Sequence, residues 1–254
     1  MKALTSALSA ETLKMKRTLA LWLTLLTPAA LVFLEVAGAT QQQGNLSSLS
    51  PDINRWSLLF EELLSIWVIL IFPLFITLET ALLGQLEHGN NTWKLTYTQP
   101  VPRWATLAAK QIWGLGLIVL GMLALIGLTF VGGTILDILM PELKIEPPIP
   151  WVEIFRQTGI VFLVGGIILG IHTWIALRSR SFVVASAIGI SMTIAGLILR
   201  GLEWADYFPW SMPATALYRY YEGSAITNYL VIGAAGWLVL SMMSNWLLKR
   251  REIL

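Results

Sequence analysis

The sequence predicts an all-α integral membrane protein with six transmembrane helices and both termini in the cytoplasm. Three observations carry that prediction. Of the 254 residues, 56% are A, V, I, L, M, F, W, Y or C and only 13% are charged, whereas a soluble domain is nearer 45–50% and 25%; mean hydropathy is +0.70. Six stretches reach the roughly 20 mostly apolar residues that a bilayer-spanning helix needs. Twelve Trp and twenty Gly match a chain that anchors rings at membrane interfaces and packs helices closely on small residues. The same numbers exclude other classes. A formal charge of +2 gives no nucleic-acid-binding excess. The absence of Cys removes disulfides, thiolate metal sites and cysteine nucleophiles together.

The chain is read as one transmembrane domain, 1–254, and its elements follow in order. Residues 2–17 place Leu4, Leu8, Thr12 and Met15 at helical spacing, the pattern of a short amphipathic helix on the inner leaflet, with Lys14, Lys16 and Arg17 toward anionic headgroups. A plain topogenic charge cluster accounts for the same cations. The stretch is long for a signal-peptide n-region and carries Glu11. Spans are expected at about 19–37, 63–83 with a kink at Pro73, 104–131, 154–177, 181–199 and 226–248. Between the first two lies a polar, turn-rich loop, and residues 132–153 hold Pro141, Pro147, Pro148 and Pro150, which forbid a regular helix there. The segment 200–225 is rich in rings, among them Trp204, Tyr207, Phe208 and Trp210, and is broken by Pro209 and Pro213. It is either an aromatic belt at the outer interface or a dipping segment that lines the exit of a lipophilic substrate.

Orientation follows from the basic residues. With the N-terminus inside, the inner segments hold Lys2, Lys14, Lys16, Arg17, Lys94, Arg103, Lys110, Arg178, Arg180, Lys249, Arg250 and Arg251, twelve of the seventeen, as the positive-inside rule requires.

Between spans two and three the sequence QLEHGNNTWKLTYTQPVPRW, residues 85–104, is polar and closes on Pro100 and Pro102. Gly89-Asn90-Asn91 makes a turn with a capping residue. A short helix over about 87–98 follows, with Trp93 and Tyr97 four apart on one face. Such a helix is either a handle for a cytoplasmic partner or a bilayer-resting loop anchored by Trp93. The chain contains no GxxxxGK[ST], HExxH or GxSxG pattern, so no ATPase or hydrolase motif of its own. His88 and His172 are too separated for a metal site, and no metal site is expected. Glu79, late in span two, is the intramembrane ionisable group to weigh, as an interhelical contact or as part of a substrate or proton path. Gly166 and Gly170 at GxxxG spacing fit helix packing or dimerisation.

The block Glu87, Asn91, Thr92, Trp93, Lys94, Arg103 and Lys110, the SAETLKMKRT approach to span one and the proline-broken aromatic segment resemble the permease subunits of type-2 ATP-binding-cassette exporters. The closest branch is that of lantibiotic immunity and bacitracin resistance. The resemblance implies a coupling helix at 87–98 carrying Glu87, His88, Asn91, Thr92, Trp93 and Lys94, with Arg103 and Lys110 at its exit. It implies an elbow helix carrying Glu11, Lys14, Lys16 and Arg17, and short re-entrant helices between spans five and six. It further implies a bacterial inner-membrane location, and a separate pair of cytoplasmic ATPase subunits that bind ATP and Mg, this chain binding no cofactor. A second permease chain, identical or related, and membrane lipids complete the expected partners, without nucleic acid. The expected function is export of an amphipathic substrate such as an antimicrobial peptide. The rival is an ATP-independent carrier or scaffold built on Glu79 and His172.

Overall fold

The computed structural model describes residues 2–16, 18–41, 54–88, 101–143, 145, 148–179 and 181–249, and among these it contains helices and no strand. Helix α1, Lys2–Met15, is composed largely of Ala, Leu, Lys, Glu and Met, all good helix formers. It ends where the Thr18 backbone N–H and hydroxyl both donate to the Met15 carbonyl, at 3.2 and 2.8 Å. Its inward stripe is Ala7, Glu11 and Met15. The protein-facing stripe is a different face from Leu4, Leu8, Thr12 and Met15 and shares only Met15 with it, because the small Ala7 lets α1 lie close against Ala105 and Ala109 of a spanning helix. Lys16 follows in the turn, and Arg17 lies outside the described residues.

Helix α2, Leu19–Gln41, is the first span. Pro28 within it has no N–H to give the Thr24 carbonyl, and that carbonyl faces Gly121 of the third span. The second span is longer than the expected 63–83. It starts as α3, Arg55–Ile66, capped by Asn54, whose Oδ1 accepts from the Ser57 N–H at 3.1 Å. It passes through a π-helical stretch, Trp67–Ile71, and continues as α4, Phe72–His88. The kink expected at Pro73 takes the form of this wide turn. The Phe72 N–H reaches back to the Trp67 carbonyl, so the helix is already off the i→i−4 ladder where Pro73 would break it. Trp56, Glu61 and Glu62, which lead into the second span, are already helical.

The third span is α5, Arg103–Leu139, and extends well past the expected end at Val131. At 1.5 Å per residue it is about 55 Å long, so it tilts through or projects from a hydrocarbon layer of about 30 Å. A 3₁₀ turn, Pro141–Leu143, follows. The Ile145 N–H donates to Asp137 Oδ1 at 3.1 Å and Asn54 Nδ2 to the Pro148 carbonyl at 2.9 Å, which ties this proline-rich connection to the bundle. Spans four and five are α6, Trp151–Arg178, and α7, Phe182–Leu199. The chain then turns at Gly201, with φ +93°, and passes a 3₁₀ turn at Glu203–Ala205. It re-forms as α8, Met212–Tyr221, and ends in the sixth span, α9, Thr227–Lys249.

Among the described residues, six helices are long and apolar enough to cross a membrane. Two tight pairs, α2 with α5 and α6 with α9, flank the second span, which touches α2, α5, α6 and α7 and is the most buried. Its residues Leu63, Trp67, Phe72 and Ile76 have no exposure. Outward faces are apolar as well, Trp22, Phe33, Leu34 and Ile198 being more than half exposed, the arrangement a lipid environment demands.

Gly166 and Gly170 serve packing within the chain. A Cβ at Gly166 would press on the Gly233 carbonyl and Trp237 Cβ, and one at Gly170 on Leu240. That face is consumed by the α6–α9 contact and is not free for a second copy.

Candidate functional site

The second span organises the chemistry at three levels. At the inner end, three residues that the sequence distributes over two motifs meet. Glu11 of α1 accepts from Lys110 Nζ of α5 at 2.8 Å and from Lys14 Nζ at 2.9 Å. Glu11 is 2% and Lys110 4% exposed. A buried pair of this kind is destabilising to break, because the surviving charge loses a counter-charge where water does not replace it. It fixes the register of the elbow helix on the third span. Lys110 also borders a small cavity with Thr80 and Gly84 of α4 and Thr173 of α6, so the elbow connects through it to the inner ends of three spans.

Of the remaining residues expected to couple to an ATPase, Glu87 and His88 are the last two positions of α4 and Arg103 is the first of α5. Asn91, Thr92, Trp93 and Lys94, and with them most of the expected helix over 87–98, lie outside the described residues.

Beside the cavity that Lys110 borders, toward the inner end of the second span, Glu79 is buried. Its Oε1 shares the Thr24 hydroxyl, 3.1 Å away, with the Ala20 carbonyl at 2.9 Å, while Oε2 has no partner among the described residues. The contact joins spans one and two. His172 of α6 stands 3.2 Å, Nε2 to Oγ1, from Thr77 of α4. The Thr77 hydroxyl donates to the Pro73 carbonyl at 2.8 Å, so its lone pair accepts from the imidazole Nε2–H. The His172 ring meets Trp210 edge-on, centroids 5.6 Å apart. Gly189 of α7 allows the approach, since a Cβ there would collide with Thr77 and His172. His172 is a packing partner that joins spans two, four and five to the aromatic segment.

At the outer end, α8 lies along α6. Met212 and Ala216 pack on Ile160 and Val164, while the Tyr220 hydroxyl donates to Glu153 Oε1 at 2.8 Å. Val164 is about 20 Å along α6 from Trp151 at 1.5 Å per residue, so the segment between spans five and six dips into the bundle and climbs back out. The expected aromatic group splits accordingly. Trp204 is 69% exposed, Tyr207 stacks on Tyr229, and Trp210 is buried with its Nε1 unpaired among the described residues.

A polar network closes the outer end. Arg156 donates to Glu153 Oε2 and to the Tyr220 hydroxyl at 3.2 and 3.1 Å. Gln157 donates to Glu61 at 3.3 Å and to Glu153 at 3.1 Å, and Tyr221 donates to Gln157 Oε1 at 3.3 Å. Burial, with Glu61 and Glu153 nearby, pushes the Tyr221 phenol above its ordinary range. Sequence reasoning did not find this network. Its only signal is the cluster Glu153, Arg156, Gln157 one turn apart at the start of a span.

Among the described residues no group of three His, Cys, Asp or Glu is placed to hold a metal ion. A family model described as ABC-2 family transporter protein matches residues 7–196, which run from the elbow through most of the fifth span. No curated protein and no solved structure matches the chain. The bundle's six apolar helices make the chain a multi-pass membrane protein, consistent with a bacterial inner membrane. The match over most of its length shows that it belongs to the ABC-2 transporter family, as the membrane permease component that works with an ATP-binding-cassette ATPase.

Proposed function

We propose that residues 1–254 form the transmembrane subunit of an exporter that removes an amphipathic substrate, an antimicrobial peptide of the lantibiotic or bacitracin type, and so confers immunity or resistance. Two cytoplasmic ATPase subunits bind ATP and Mg and energise it, and a second permease chain completes the pathway. The observation that carries the reading is the family match together with the 87–94 block that the match encloses. In this reading Glu87, His88, Asn91, Thr92, Trp93 and Lys94 receive the push of nucleotide-driven closure. Arg103 and Lys110 pass it to the third span and, through Glu11, to the elbow. The substrate assignment rests on resemblance at the 85–110 loop. It is supported by an interior with few charges, which suits a lipophilic cargo.

The test is a mild-detergent purification of the chain co-expressed with its genomic neighbours, followed by mass spectrometry and ATPase assay. The expected result is a stoichiometric ATP-binding-cassette partner whose hydrolysis is uncoupled from transport by Trp93→Ala or Glu87→Ala in a folded protein, while Glu79→Gln leaves ATP-driven transport intact. A clean preparation without a nucleotide-binding partner, or transport that survives ATP depletion and dies with Glu79→Gln, overturns it.

A further inference from the structure

A cavity of about 210 Å³ opens in the membrane-facing surface where the second, third, fourth and sixth spans meet. Its floor is Phe72 and Ile76, both without exposure, and its mouth is marked by Leu163 and Leu238, 44% and 48% exposed. Every side chain that lines it is apolar or aromatic. Small residues make it. Ala234 lines it from α9, and on α6 Gly165 cannot carry a Cβ without striking the Phe72 ring. Phe72, Leu163 and Ala234 each lie near the middle of their span, so the cavity sits at the depth of the bilayer midplane.

From these features we propose that the cavity is a binding site for the end of a phospholipid acyl chain, inserted sideways from the midplane of the bilayer. Apolar cavities exclude water, and an engineered one of about 150 Å³ stays dry and takes up benzene; this one is larger and opens where hydrocarbon is the only solvent. Headgroup chemistry has no foothold in it, which selects the chain terminus over any polar part of a ligand. The bound chain rests on Phe72 and Ile76 immediately after the π-helical turn and stiffens the second span just where its hydrogen-bond ladder is irregular.

Lipid binding at this cavity is read independently of transport. The full chain, reconstituted in nanodiscs with a phosphatidylcholine carrying a diazirine at the acyl terminus, is photolysed, digested and mapped by mass spectrometry. The expected adducts concentrate on residues 162–169 and 234–238. Ala234→Phe fills the cavity and lowers them by about tenfold, the loss expected when two methylenes give up their buried contact. Leu163→Ala widens the mouth and raises them. Should Ala234→Phe fail to fold, as judged by size-exclusion chromatography, Leu238→Trp at the rim makes the same test. Adducts spread evenly over the outward faces of α2 and α7, or unchanged in the filled variants, overturn the proposal. So does displacement of the probe by a single-chain alkyl amphiphile but not by unlabelled phospholipid, which would assign the site to another amphiphile.

Discussion

Glu11 and Lys110 are 99 residues apart in sequence and 2.8 Å apart in space. Each was legible as a charged residue at the inner membrane face, but their pairing was not, because spacing along a chain carries no information about contact between separate helices. Removing one partner takes a counter-charge from the other in a buried site, at a cost of up to about 3–5 kcal/mol, and less for Lys110→Met because Lys14 still pairs with Glu11 at 2.9 Å. Glu11→Gln and Lys110→Met are each expected to lower the melting temperature in detergent substantially. The double variant should lose less than the sum, with a coupling energy of about 1–3 kcal/mol in a double-mutant cycle. A surface-type pair would give simple additivity instead. Thr77 carries a similar lesson. As a threonine mid-span it looks ordinary, yet it is the acceptor for His172 and a donor to Pro73. Thr77→Val leaves the imidazole N–H buried and unpaired, for an expected loss of about 1–3 kcal/mol. Thr77→Ser, which keeps the hydroxyl, should recover most of it. Thermal unfolding followed by tryptophan fluorescence measures both.

Among the elements, helix type and approximate position were written in the hydropathy of the chain, and helix ends were not. The second span begins at Arg55 and the third runs to Leu139 because polar residues at the outer ends found partners in the fold: Glu61 accepts from Gln157, and Asp137 from the Ile145 N–H. A hydropathy window scores those residues as loop, since it takes water to be their only partner. The elbow's protein-facing side is equally hidden from an apolarity pattern. Size, rather than apolarity, selects the stripe that approaches another helix closely, and Ala7 with Ala105 and Ala109 supplies it. The chain has no cysteine of its own, so an Ala7→Cys, Ala105→Cys pair should form a disulfide under mild oxidation. Failure of that pair to cross-link would place the elbow elsewhere. At Gly189, any side chain meets Thr77 and His172. Gly189→Leu should push α7 away from α4 and destabilise the bundle by roughly the 1–3 kcal/mol of core overpacking or more, read as a lowered melting temperature, whereas Gly116→Leu on an open face should not.

For the whole molecule, an even number of spans sets both termini on one side, and the basic residues say which. Single cysteines at Ser6 and Ser224 test this. A membrane-impermeant maleimide should label Ser224→Cys in intact cells and Ser6→Cys only after permeabilisation; the reverse pattern would invert the topology. Fold class, span number and the transporter family are determined by the sequence alone, and the sequence also supplies the orientation to be tested. They depend on quantities summed along the chain, such as apolar run length, charge sidedness and a local polar motif, and these do not change with folding. Which helices become neighbours is decided only by the tertiary structure. So are the burial of Glu11 against Lys110, the descent of the segment after span five to the level of His172, and the cavity between four spans. In each case the deciding quantity is the fit of one surface to another, whether a glycine beneath a ring or a hydroxyl opposite an imidazole, and such fit exists only once distant parts of the chain have been brought together.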